Sequence, residues 1–130
     1  MRLLLDTHIL LWWVMADRRL SKVIAKVLTS AENDIAVSAA SLWEITIKRA
    51  LGRLEIDLDE LVSTIAADGF SELPMRFVHA RKLEVLPRHH DDPFDRILIA
   101  QSIVEGRRLV TTDQAILDYV GLAGFDPFSG

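Results

Sequence analysis

The chain has 130 residues, half of them hydrophobic and 26% charged, with six glycines and four prolines; that composition suits one globular domain with its own core and excludes a disordered chain. A formal net charge of −4 argues against a broad basic coat for nucleic acid, while leaving local phosphate contacts open. There is no cysteine, so disulfides, thiolate metal sites and cysteine nucleophiles are excluded, and the cytoplasm is the expected compartment.

The start, MRLLLDTHILLWWVMAD, has the early arginine and the small Ala16 of a secretory leader. Asp6 and His8 break its apolar run, however, and Ile9–Ala16 is too short to span a bilayer. Arg2–Leu5 instead reads as a buried parallel strand, followed by a helix capped by Asp6 or Thr7 and running through Met15. Ser21–Ala31 reads as a helix capped by Ser21, with Val23, Ile24, Val27 and Leu28 on one face. Ile35–Val37 is the next strand, and Ser38 caps a helix over Ala39–Leu51 that Gly52 ends. Leu58–Asp68 follows as a helix with Leu61, Val62 and Ile65 inward, closed by Gly69. Phe70–Leu73 is a short strand, and Met75–Leu83 is helical. Pro87, His89 and His90 form a loop into the helix Pro93–Glu105, which Gly106 stops. Arg108–Thr111 is a strand, Asp113–Tyr119 a helix and Gly121–Phe128 a terminal strand or coil. Strands alternating with helices predict an α/β fold, a single Rossmann-like domain over residues 1–130 with a mainly parallel central sheet flanked by helices.

The stretch His89–Gln101, HHDDPFDRILIAQ, is the most informative. Asp92 before Pro93 is a strong helix start, and Asp95 in the first turn faces the positive end of the helix dipole, so the two read as a variant capping box. Other acids point to the same place. Ligands on open parallel sheets bind at the carboxyl ends of strands; Asp6 directly follows Leu3-Leu4-Leu5, and Asp113 follows Leu109–Thr112. Each alone is a helix cap. Together with Asp95, three anions at one sheet edge are costly unless cations compensate them. Glu44, early in its helix beside Trp43, is either a fourth member or an exposed glutamate paired with Lys48 at i,i+4.

Other chemistries lack their signatures. There is no phosphate-binding glycine loop and no G-x-S-x-G elbow. His89 and His90 are adjacent, poor geometry for two ligands to one ion, and His90 reads as a loop histidine with a phosphate-contacting or structural role as the alternative. His8 and His79 read as packing or surface residues. Oxygen ligands alone favour Mg2+ or Mn2+ over zinc. An aspartate-nucleophile phosphatase needs Asp-x-Asp after the first strand, where this chain has Asp6-Thr7-His8. A phospho-receiver needs an acceptor aspartate at the end of a middle strand, but Asp57 and Asp59 sit at a helix start.

The pieces Leu5-Asp6-Thr7, Ser38–Ile45 (S-x-x-x-W-E-I), His90–Gln101 (H-x-D-P-F-D-R-x-L-I-A-Q) and Leu109–Asp113 (L-V-T-x-D) resemble, in order and over essentially the whole chain, a PIN domain, and more closely the VapC-type toxin ribonucleases of bacterial toxin–antitoxin pairs. The resemblance implies a four-acid site on Asp6, Glu44, Asp95 and Asp113 that binds Mg2+ or Mn2+ and hydrolyses RNA. Asp6 and Asp95 are the surest ligands, and Asp113 holds a position that varies in the family. Asp92 and Asp118 are read as capping or supporting acids, while Thr7, Ser38 and Thr111 would orient carboxylates or hold water. Metal-assisted hydrolysis leaves a 5′-phosphate and a 3′-hydroxyl without using the RNA 2′-hydroxyl. Arg88, Arg96 and Lys48 are either phosphate-positioning cations or solvated surface charges.

The resemblance further implies a VapB-like antitoxin that offers the acids a basic residue, and a homodimer. ILLWWVM (Ile9–Met15), apolar nearly all round, must be buried within the fold or against a partner. The other readings are a metal nuclease acting on DNA or structured nucleic acid, and a catalytically silent PIN-like interaction domain, which would be expected to lack one of the four acids.

Overall fold

The run Leu3-Leu4-Leu5 is wholly buried because its strand, β1 (Arg2–Leu5), has partners on both edges and helices on both faces, the setting that allows an uninterrupted apolar run. The computed structural model describes residues 1–130. After β1 come α1 (Thr7–Val14), α2 (Lys22–Thr29), β2 (Asp34–Ser38), α3 (Ala39–Ala50) and α4 (Leu58–Ala67). Then follow β3 (Ser71–Leu73), α5 (Phe77–Lys82), α6 (Pro93–Glu105), β4 (Arg108–Val110) and α7 (Gln114–Leu117). The sheet order is β3-β2-β1-β4 and every pairing is parallel, so the α/β fold with a parallel sheet is as the alternation predicts. Leu4 lies opposite Ala36 on one side and Leu109 on the other.

Successive residues of β1 face opposite ways. Leu3 and Leu5 pack with Ile9, Leu10, Ile24, Ile45 and Leu61, and Leu4 packs with Leu98, Ile99, Leu109, Ile116 and Tyr119 on the other face. Full burial of such a side chain is worth about 1.5–3 kcal/mol, and these two clusters hold the sheet edge in place.

Several boundaries differ from expectation. On α2 the inward stripe is Ile24 and Leu28, and Val23, a neighbour about 100° round the helix, is 53% exposed. The same geometry leaves Val62 exposed beside the buried Leu61 on α4. The helix expected from Met75 starts at Phe77, because Arg76 is still extended, and it tightens into a 3-10 turn at Leu83–Val85. The expected helix Asp113–Tyr119 shrinks to Gln114–Leu117, with Asp118 as its C-cap. The terminal segment is coil with a 3-10 turn at Leu122–Gly124, and it joins the sheet's backbone ladder through a parallel bridge between Val110 and Phe128.

The apolar α1 is covered largely by its own chain. Ile9, Leu10 and Leu11 are buried; the Trp13 ring meets Phe70 at 6.2 Å, and its indole N–H donates to Asp68 Oδ2 at 2.8 Å. Of the apolar residues from Ile9 to Met15, only Met15 at the end is freely exposed. No helix is long and apolar enough to cross a membrane.

A buried polar network ties α6 to β2 and α5. Ser38 Oγ donates to Gln101 Oε1 at 2.6 Å and accepts from the Ala40 N–H; Gln101 Nε2 donates to the Pro74 carbonyl at 3.4 Å. His79, expected to pack or lie at the surface, is fully buried. Its Nδ1 accepts from the Arg76 N–H at 3.0 Å, so Nε2 carries the proton towards Glu105 Oε2 at 2.7 Å. Gln101→Ala strands these groups in the interior and leaves a cavity; we expect it to cost about 2–4 kcal/mol in a denaturant melt. Glu105→Gln keeps an acceptor for His79 and should cost less than about 1 kcal/mol. Equal losses for the two variants would refute this account of the network.

Candidate active site

β1 and β4 are neighbours, but β1 connects onward through α1 and α2 to β2 on its other side. At such a switch in strand order the chain leaves adjacent strand ends in different directions and opens a crevice. Asp6 lies there. Its N–H continues the sheet by donating to the Val110 carbonyl at 3.0 Å. One carboxylate oxygen caps α1, accepting from the His8 N–H at 3.4 Å, and the other accepts the Thr111 hydroxyl at 2.8 Å. The same hydroxyl accepts from the Asp113 N–H at 3.1 Å, so one threonine from the end of β4 ties two of the acids together. Asp113 caps α7 through the Ala115 N–H at 2.9 Å and stays half-exposed. Asp6 is 1% exposed. Burial pushes its carboxyl above the usual range; the Thr111 and His8 contacts pull it back in part, and Asp113 adds to the rise.

Asp95 comes from α6. Asp92 Oδ1 accepts from the Phe94 N–H at 2.9 Å and the Asp95 N–H at 3.2 Å, with Pro93 opening the helix. That is half of the expected capping box. The other half is absent, since the Asp95 carboxylate meets His90 Nε2 at 2.7 Å instead of returning to the cap. Burial pushes Asp95 up to about 6; the His90 hydrogen bond opposes this, while Asp92, Asp6 and Glu44 add repulsion.

Glu44 is buried, at 5% exposure, which corrects the reading of an exposed helix glutamate. Its Oε2 does pair with Lys48 Nζ at 3.1 Å, one turn along α3. Its Oε1 is buried with no partner at all, an arrangement that costs free energy unless something absent from the chain satisfies it.

Several supporting roles were misassigned from sequence. His90 is a partner of Asp95, not a bystander in the loop, and that contact raises the imidazole's own pKa. Nothing in composition signals this, although its place two residues before the helix cap does put it within reach of the first turn. Arg96 is turned onto its own chain. Its guanidinium donates to the carbonyls of Pro87, Leu83 and Leu86 and to the Tyr119 hydroxyl. Tyr119 Oη in turn accepts from the His89 and His90 N–H groups at 3.1 Å. No local pattern marked Tyr119. Of the hydroxyls expected to orient carboxylates, only Thr111 does so; Thr7 donates to Ser41, and Ser38 to Gln101. Asp118 is exposed and accepts from Gln114 Nε2.

The tightest group of potential ligand atoms is His90, Asp92 and Asp95, all within 4.8 Å of one another. Asp92 gives one oxygen to capping; Asp6, Glu44 and Asp95 are the buried acids beside it, with Asp113 at the rim. An orphaned buried oxygen, all-oxygen donors and two carboxylates that burial holds back from ionising fit a hard divalent cation such as Mg2+ or Mn2+.

The comparisons agree with this architecture. Over 119 residues, 87% of this chain and 88% of the relative, the sequence is 28% identical to ribonuclease VapC22 of Mycobacterium tuberculosis. The backbone is similar to that of VapBC2 from Rickettsia felis bound to a DNA fragment from its promoter, with a TM-score of 0.70 at 13% identity over 99% of this chain and 100% of that one. VapBC-5 from Mycobacterium tuberculosis is also similar, with a TM-score of 0.66 at 16% identity over 98% and 97%. A profile of the PIN domain matches residues 3–122, a span that takes in all but the first residue of the sheet and all of its edge acids, and the chain belongs to the PIN-domain family.

Proposed function

We propose that this protein is a Mg2+- or Mn2+-dependent endoribonuclease, the VapC-type toxin of a toxin–antitoxin pair. It would act on RNA and be held in check by a VapB-like antitoxin. One observation carries the reading: Asp6, Glu44 and Asp95 are each buried around a strand-order switch, two of them with raised pKa values and the third with an unpartnered oxygen. The likeness to a VapC ribonuclease and to VapBC structures supports the RNA and antitoxin parts.

Asp6, Glu44 and Asp95 would hold the ion, with Asp113 contributing from the rim. When bound, the ion makes water a competent nucleophile at neutral pH and offsets the negative charge that grows on the phosphate. The chain's own residues set the geometry. Thr111 fixes the Asp6 carboxylate; Asp92 starts α6 so that Asp95 emerges in its first turn; Lys48 holds one oxygen of Glu44 and leaves the other free. His90 is bonded to Asp95, which leaves it no role as an independent base. Hydrolysis by water leaves a 5′-phosphate and a 3′-hydroxyl.

Asp95→Asn removes an anionic ligand, and we expect RNA cleavage to fall by about a hundredfold or more, with a metal-free fold that is intact or more stable. Asp92→Ala should cost about 1 kcal/mol of stability and keep most cleavage, whereas Asp92→Asn should change stability by only a few tenths of a kcal/mol. Labelled RNA and DNA cut with Mg2+ and again with EDTA, beside melting curves, decide the matter. Normal cleavage by Asp95→Asn with an early melt would leave Asp95 a capping residue only.

The pH dependence of the metal-free protein follows from the same groups. Asp95 takes up its proton at about pH 6 when folded, against 3.8 for an ordinary aspartate. Between these values the folded state binds more protons, so stability rises as pH falls. Asp6 is raised in the same sense. His90, also raised, stabilises the fold below its unfolded value and loses that contribution as pH rises through its folded one. In EDTA, melting temperature should therefore increase by a few degrees between pH 7.5 and 5.5, and Asp95→Asn should flatten the rise. A flat wild-type profile would contradict the burial argument.

The homodimer is part of the same proposal. Its physical motive has moved, since α1 is satisfied within the chain, and the exposed apolar side chains Met75, Phe77, Val78 and Val85 gather on and around α5 instead. Light scattering at tens of micromolar should give the mass of two chains, and a monomer there would count against it.

A further inference from the structure

We propose that Trp43, braced by Phe94, is a nucleobase-stacking platform that holds an unpaired base of single-stranded RNA beside the phosphate to be cut; this rests on the ribonuclease reading above. Trp43 immediately precedes Glu44 on α3, and Phe94 immediately precedes Asp95 on α6. The two rings bridge the seam between these helices edge to face, with centroids 5.1 Å apart and planes at 75°. An aromatic that only filled the seam would be covered by it. Trp43 is 59% exposed, and an edge-to-face contact occupies at most one face of the indole. An open aromatic face thus lies at the rim of the acids that would receive the phosphate.

The surrounding charge leads to the same conclusion. A protein that gripped RNA here by its phosphates would present free cations at this rim. Lys48 is paired with Glu44, and Arg96 is turned inward onto backbone carbonyls and Tyr119. Arg88, exposed in a small pocket with Pro93 and Arg96, remains for a phosphate, and in a chain of net charge −4 the open indole adds stacking, which suits any base and demands an unpaired one.

The test uses the full chain with Mn2+ and a single-stranded RNA oligonucleotide whose cleavage site has been mapped. Versions of it carry an abasic nucleotide on either side of the scissile bond. Trp43→Ala should raise KM roughly tenfold, the factor that follows from losing about 1.4 kcal/mol of stacking, with kcat within about threefold and an unchanged melting temperature. Trp43→Phe should recover most of the loss. In the wild type one of the two abasic substitutions should raise KM by a similar factor, and the same substitution should add nothing in Trp43→Ala. A merely structural role for Trp43 would not produce that non-additivity.

Unchanged KM in an active Trp43→Ala variant overturns the proposal, as does an equal loss on intact and abasic RNA. So does a variant that cuts RNA normally but binds the antitoxin more weakly, which would make the aromatic pair a protein-docking surface. If the folded wild type cuts no RNA with Mn2+, the ribonuclease reading falls and this inference falls with it, an outcome distinct from the others.

Discussion

Burial of carboxylates is the constraint on which the rest of this structure depends. Desolvation is the larger part of the cost of ionising Asp6 and Asp95, and the charges of Asp6 and Glu44 add to it at Asp95. The protein nonetheless buries all three acids. What opposes that cost is the packing of β1 on both faces, where Leu3, Leu4 and Leu5 are fully buried. The apolar strand and the acid that ends it form one device: the strand's burial fixes where the acid must stand.

Two of the chain's arginines serve its own backbone. Arg96 sits next to Asp95 in sequence, yet it pins the loop between the 3-10 turn and α6 through three carbonyls. Tyr119 collects the other contacts of that loop, two backbone N–H groups and the same guanidinium. Loop and helix therefore share a common anchor, and His90 is delivered to Asp95 by backbone that has little freedom of its own. Arg107 does similar work at the opposite end of the sheet, donating to the carbonyls of Leu3 and Asp34.

Much of this was legible in the sequence because the relevant signals are local. Strand-then-Asp, Asp-Pro at a helix start and Gly106 after the last apolar turn each act over a few residues, and α6 with its caps lies where they put it. The sheet class followed from alternation, and the edge position of Asp6 from counting along a buried strand. What could not be read depends on contacts across the fold. Glu44 looks solvent-facing beside Lys48 until α6 packs over it. Tyr119 looks like one more apolar residue of a terminal helix until its hydroxyl is found under the His89–His90 backbone. Arg96 shows the same limit: sequence places its charge beside the acids, but only the fold shows that its side chain turns away from them.

The hydrogen bond from Thr111 to Asp6 joins residues 105 positions apart. Closing so long a loop is slow compared with forming the helices and the β1–β2 pair. During synthesis from the amino terminus, Asp6 and Glu44 exist on a growing polypeptide long before β4 can dock beside β1. Until then the edge lacks Asp113, the threonine that orients Asp6, and the strand against which Asp6 is buried. The edge that gathers these acids is therefore among the last parts of the fold to be completed.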